Sequence, residues 1–208
     1  MKIELHQIYH IYNQGNNRQP IFFKPENYAY FMGLVERHIL PRGDLLGYCL
    51  MPNHFHFIIH STKESVQLRK SGLIEISNLS FGFKTLLSCH AQHMNHQLGR
   101  SGSLFRQKTK AKCLTKPDST PKIKSIHPFS TYHPLKVLHY MHLNPVRAGL
   151  VKKPEDWIFS SFREYEGLGF KQFCDLEKAR CLQETGPKPS RKTKTFIGPD
   201  NDGNRIRP

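Results

Sequence analysis

The chain has 208 residues, 38% of them hydrophobic, which suits one core with appendages better than two full domains. Its 31 Lys and Arg outnumber 16 Asp and Glu, giving a net charge of +15, and a surplus of that size suits a polyanionic partner. No run reaches the roughly 18 apolar residues of a membrane span, and the polar start Met1–His6 has no signal-peptide core, so a cytoplasmic location is expected.

Ile8 to Asn13 reads as a first strand, followed by a polar turn holding Asn16, Asn17 and Arg18. Tyr28, Phe31, Met32, Val35 and Ile39 recur at helical spacing, which predicts a helix from about Pro25 to Leu40. Leu45–Met51 and His54–His60 read as strands, and the two residues between them, Pro52 and Asn53, predict a hairpin. Leu79, Phe83, Leu86, Leu87, His90 and Met94 mark a long helix to about Leu98. Ser103 to Cys113 reads as a basic extended segment or fourth strand, Thr115 to Ser130 as an inserted loop, and Pro134 to His142 as a short helix. This order predicts an α+β, ferredoxin-like (RRM-like) βαββαβ unit, an antiparallel sheet with helices on one face, plus a further C-terminal helix. Residues 1–170 form the expected domain, and the polar, basic residues 171–208 an extension expected to be largely disordered. The five cysteines are scattered without a CxxC pair, which argues against a disulfide framework and a zinc ribbon.

Two segments carry chemistry. In Asn53-His54-Phe55-His56-Phe57, strand alternation puts His54 and His56 on one face, with Cβ atoms roughly 6–7 Å apart. Two imidazoles at that separation can share a metal ion, while Phe55, Phe57 and Ile59 point into the core and stiffen the base. The same pattern fits a polar strand face or a zinc hydrolase, and His60 lies on that face one pair further on. In Lys136–Gly149, Lys136, Tyr140 and Asn144 are four apart and form one helical stripe. Pro145 places Asn144 at the expected end of that helix.

Five blocks in order resemble the REP-associated tyrosine transposases and the single-tyrosine HUH insertion-sequence transposases. They are Tyr9–Phe23, Gly47–His56, Gly102–Lys110, Tyr140–Gly149 and Asp156–Phe162, together spanning about residues 6 to 166. Thr109 stands where relatives commonly carry an aromatic. The resemblance implies that His54 and His56 bind a divalent metal, Mg²⁺ or Mn²⁺, with Asn144 as a third ligand and Tyr140 as the nucleophile. It implies a single-stranded DNA partner bearing hairpins, a covalent 5′-phosphotyrosine intermediate, no nucleotide cofactor, and a monomer or homodimer. The basic residues expected to hold DNA are Arg18, Arg106, Lys108, Lys110, Lys136 and Arg147, with Asn17 beside Arg18. A non-cleaving hairpin DNA- or RNA-binding protein derived from a transposase is the alternative.

Overall fold

The computed structural model describes residues 1–115, 133–169 and 171–184. Its elements, in chain order, are β1 (Ile8–Gln14), α1 (Pro25–His38), β2 (Asp44–Met51), β3 (His54–His60), α2 (Lys63–Val66), β4 (Leu68–Ser71), β5 (Ile74–Ser77), α3 (Asn78–Gln97), β6 (Lys110–Cys113), α4 (Pro134–Arg147), α5 (Phe162–Tyr165) and α6 (Leu176–Glu184). Four strands form one antiparallel sheet in the order β2-β3-β1-β6, and β4 and β5 form a separate hairpin.

Alternation along the strands gives this sheet two different faces. On one, Ile11, Leu50, Phe55, Phe57 and Ile59 pack against Phe31 and Val35 of α1 and Leu79, Phe83 and Leu86 of α3. The rings of Phe31, Phe55, Phe57 and Phe83 are fully buried, each stabilising the fold by about 1.5–3 kcal/mol. Both helices start where local chemistry satisfies their free N–H groups. The Asn27 side chain accepts from the Phe23 and Lys24 N–H groups ahead of α1, and Ser77 Oγ accepts from the Ser80 N–H at the start of α3.

The second face carries Ile8, Leu46, Cys49, Met51 and Ile58, covered by Leu138 and Met141 of α4 and Ala179 of α6. Gly47 permits this approach: a Cβ there would lie 2.4 Å from Leu138 Cδ1 and 3.2 Å from Met141 Cε. The outer edge of β2 is paired as well. The Leu50 N–H donates to the Phe159 carbonyl, the Ser161 N–H to the Tyr48 carbonyl, and Trp157 Nε1 to the Leu50 carbonyl.

Several expectations change. The β4–β5 hairpin was not visible as a pattern, because its residues alternate weakly and Leu68, Leu73 and Ile74 are exposed. Only Lys110–Cys113 of the basic segment is strand; residues 103–109 wrap irregularly around the sheet edge. The tyrosine-bearing helix continues through Pro145 to Arg147, because the Ala148 N–H donates to the Asn144 carbonyl and the Leu150 N–H to the Pro145 carbonyl. Asn144 therefore lies inside the last turn, not at the helix end. Part of the extension expected to be disordered is the packed helix α6, with Cys174 and Ala179 buried. The expected loop after Thr115 and the tail from residue 185 lie outside the described residues. No described helix is long and apolar enough to cross a membrane.

Candidate functional site

The second sheet face is built in rows across the strands. Gly47, Ile58, His10 and Lys112 form one row, Cys49, His56, Tyr12 and Lys110 the next, and Met51, His54 and Gln14 the third. Leu138 and Met141 anchor α4 over Gly47 in the first row. The His56 row is the next one on that face, about 7 Å further along the strands. The tyrosine helix and the histidine pair thus share a face and sit on neighbouring rows.

His54 and His56 lie with ring centroids 4.9 Å apart. His54 Nδ1 is 2.6 Å from Asn53 Oδ1. An amide oxygen only accepts, so Nδ1 carries the hydrogen and Nε2 keeps a lone pair. The Asn53 amide is oriented by donating from Nδ2 to the Arg18 carbonyl, and the Gly15 N–H donates to the Asn53 carbonyl. These bonds pin the 15–22 loop to the hairpin turn and bring exposed Asn17 and Arg18 beside His54. Both have left-handed backbones, φ 52° and 59°. Asparagine tolerates that region, whereas for arginine it costs about 1–2 kcal/mol.

The sequence reading missed His10 on β1. Its Nε2 lies 2.9 Å from His56 Nδ1, and its ring stacks on Tyr12 and His56 with centroids 4.8 and 5.0 Å away. The only sequence signal was its even spacing from Ile8 and Tyr12 on a strand paired with β3. Burial, followed by the charges of His10 and His54, holds the His56 pKa well below 6.5, and burial lowers that of His54. Burial, helped by Lys112, brings His10 to about 4. All three imidazoles are neutral near pH 7, the form that offers a lone pair to a metal. Among the described residues no group of three or more His, Cys, Asp or Glu is arranged to hold a metal ion. His60 stands apart from the pair: Ile58 separates it from His56, and its Nδ1 bonds Asp44 Oδ2 at 2.9 Å.

On α4, Met141 and His142 are buried, Asn144 is 9% exposed, Tyr140 is half-buried and Lys136 exposed. The Lys136-Tyr140-Asn144 stripe therefore runs from solvent to a buried position. The Arg147 guanidinium lies 4.9 Å from the centre of the Tyr140 ring. A cavity of about 260 Å³ beside the phenol is lined by Leu135, Lys136, His139, Tyr140 and Arg147, and neither His54 nor His56 borders it.

The basic segment does not present one row. Lys110 pairs with Tyr12 and faces the histidine side, as does Lys112 beside His10, whereas Arg106 and Lys108 line a groove on the other side of the sheet edge. Phe105 is buried in the core. Thr109 has a local reason: its Oγ1 accepts from the Nδ2 of buried Asn13 at 3.0 Å, a contact an aromatic ring would forfeit. The Asp156–Phe162 block is structural. It pairs with β2, and Ser161 Oγ hydrogen-bonds His142 Nε2 at 2.8 Å beneath α4.

The fold is shared with a solved structure described as a REP-associated tyrosine transposase bound to a REP hairpin. The TM-score is 0.54 at 15% sequence identity, over 94% of this chain and 97% of that one. No family model matches the chain, and no curated protein does.

Proposed function

We propose that this protein nicks and rejoins single-stranded, hairpin-bearing DNA through Tyr140, on a ferredoxin-like scaffold, with a divalent metal held by His54 and His56. The observation that carries this reading is the placement of α4, anchored one row from the His56 row on a single sheet face. Similarity of fold to a transposase bound to a DNA hairpin supports the choice of substrate.

His54 and His56 would hold the metal through their outward nitrogens, with Asn144 supplying an amide oxygen. Nitrogen donors favour Mn²⁺ over Mg²⁺ at such a site. The bound cation would supply Lewis-acid polarisation of a nonbridging phosphate oxygen. The Tyr140 hydroxyl attacks phosphorus, its proton passes to solvent, the Tyr–O–P bond forms and the P–O3′ bond breaks, releasing a 3′-OH. A 3′-OH later attacks the same phosphorus and frees the tyrosine, so each bond lost is matched by one gained and no nucleotide cofactor is needed. Lys136 and Arg147 beside the phenol would attract the phosphate. Arg18, Asn17, Lys110 and Lys112 border the histidine pair and would position the strand.

A second reading is a hairpin-binding protein that no longer cuts. The observation in its favour is the Tyr140 cavity, which the metal-binding candidates do not border. Incubation of hairpin DNA with Mn²⁺ separates the two. We expect wild type to yield a covalent protein–DNA adduct on a denaturing gel, and Tyr140→Phe to yield none. DNA bound without an adduct by either protein selects the second reading.

A further inference from the structure

The β4–β5 hairpin, α3 and residues 103–109 enclose a groove of about 770 Å³ that opens away from the histidine pair. We propose that this groove binds single-stranded polynucleotide, with base faces on its apolar floor and phosphates along its cationic lip. The proposal rests on nucleic acid being the partner, and not on cleavage.

The floor is apolar: Ile74, Ile76 and Leu87 line it above buried Phe83. The rim carries Lys84, Arg106 and Lys108, and among the described residues no Asp or Glu lines the groove. Three cations unopposed by acid complement phosphate, and an apolar floor accepts any base, as sequence-tolerant single-strand grooves require. A rigid duplex, its bases stacked inside, offers no free base face to such a floor.

The walls are held in place without help from a ligand. Lys84 Nζ donates to Ser71 Oγ at 2.7 Å and ties the hairpin to α3. Asn13 Nδ2 donates to the Arg106 carbonyl at 3.1 Å, and Asn16 Nδ2 to the Ser103 carbonyl at 3.0 Å. The backbone around Arg106 is fixed while its side chain stays exposed. At the hairpin tip Leu73 is fully exposed and Ile74 is 64% exposed, apolar surface that the core does not use.

The groove also leads to the histidine pair. The Arg106 N–H donates to the Gln14 carbonyl, and Gln14 is the cross-strand partner of His54. Two strand spacings, about 10 Å, separate the groove's lip from His54. A strand lying in the groove can pass over Arg106, ahead of β6, and arrive beside His54 and Arg18.

The test uses a fluorescein-labelled oligothymidylate of about a dozen nucleotides, with no hairpin, titrated with the full chain in EDTA so that chemistry plays no part. Anisotropy should show binding that weakens with salt. The double variant Arg106→Glu/Lys108→Glu should lose at least ~10-fold in affinity, with a salt slope shallower by about 1.4, or 0.7 per phosphate contact. Ile74→Ser, at an exposed position that leaves the core intact, should lose a few-fold, and Lys171→Glu, on the far side, nothing. A 4-thiothymidine version should crosslink to residues of the hairpin and α3. Wild-type binding by both groove variants, crosslinks confined to the histidine face, or equal affinity for duplex of the same length would each overturn the proposal. If Tyr140 forms no adduct while the groove variants lose binding, the cleavage reading falls and the groove stands. If hairpin DNA is cut and the groove variants bind as wild type, the reverse holds.

Discussion

His10 shows how a single side chain can decide what a neighbour is able to do. His56 can present Nε2 to a metal only if its hydrogen sits on Nδ1, and that requires His10 Nε2, 2.9 Å away, to accept it. His10 is therefore a positioning residue in the proposed centre. His10→Ala should weaken Mn²⁺ binding about 10–100-fold by calorimetry, and His10→Gln, whose amide oxygen can accept, should recover part of it. Unchanged Mn²⁺ affinity in His10→Ala would remove His10 from the centre. The alternation around His54 and His56 was legible in the sequence, since two residues on one strand share a face whatever packs around them. His10 was not, because its relation to His56 depends on the β1–β3 register, which no local pattern states. Lys108 and Lys110 fall on different sides of the sheet edge for a related reason: a spacing of two gives one side only while the chain stays in a strand, and the strand begins at Lys110.

Among the elements, α1, α3 and the three long strands follow from periodicity, and their ends agree with the sequence reading to within a few residues. The hairpin inserted ahead of α3 was missed because four-residue strands with exposed apolar positions leave almost no alternation to read. Extending α4 through Pro145 was missed because the residue before proline usually leaves the helix, while here Asn144 and Pro145 are buried and the Ala148 and Leu150 N–H groups close the last turn. The pairing of helices on the core face yields a contrast between two glycines. A Cβ on Gly82 of α3 would lie 2.4 Å from the His38 carbonyl oxygen, a backbone atom at the end of α1 that cannot rotate away. Gly33, exposed on α1, would meet nothing within 4 Å. Gly82→Ala should therefore destabilise by about 1–3 kcal/mol, and Gly33→Ala should stabilise by about 0.5–1 kcal/mol. Urea unfolding of the two variants checks both signs.

For the molecule as a whole, buried neutral imidazoles set the response to acid. His90 is fully buried, and burial, partly opposed by its bond to the Ile21 carbonyl, holds it at about 4. His142, 5% exposed, is brought to about 3 by burial, with His139 adding to the effect. Both values lie below 6.5, so in that range the unfolded chain binds more protons than the folded one. Stability is then complete above about pH 6.5 and is lost as pH falls towards 4, by up to about 3 kcal/mol per pH unit for the two groups together. Unfolding midpoints that stay flat between about pH 7 and pH 5 would contradict it. The overall charge was legible from composition alone, but the faces its cations occupy were not, since Arg106 and Lys110 are close in sequence and lie on opposite sides of an edge.

That edge has a counterpart. Backbone bonds from Phe159 and Ser161 occupy the outer side of β2, so no foreign strand can add there. Among the described residues the other border of this four-stranded sheet is β6, four residues long and carrying two lysines, too short and too highly charged to template stacking with other copies. The four-stranded sheet is thereby protected from edge-to-edge growth in both directions, and unpicking the Phe159–Ser161 strip should expose the long β2 border and promote aggregation.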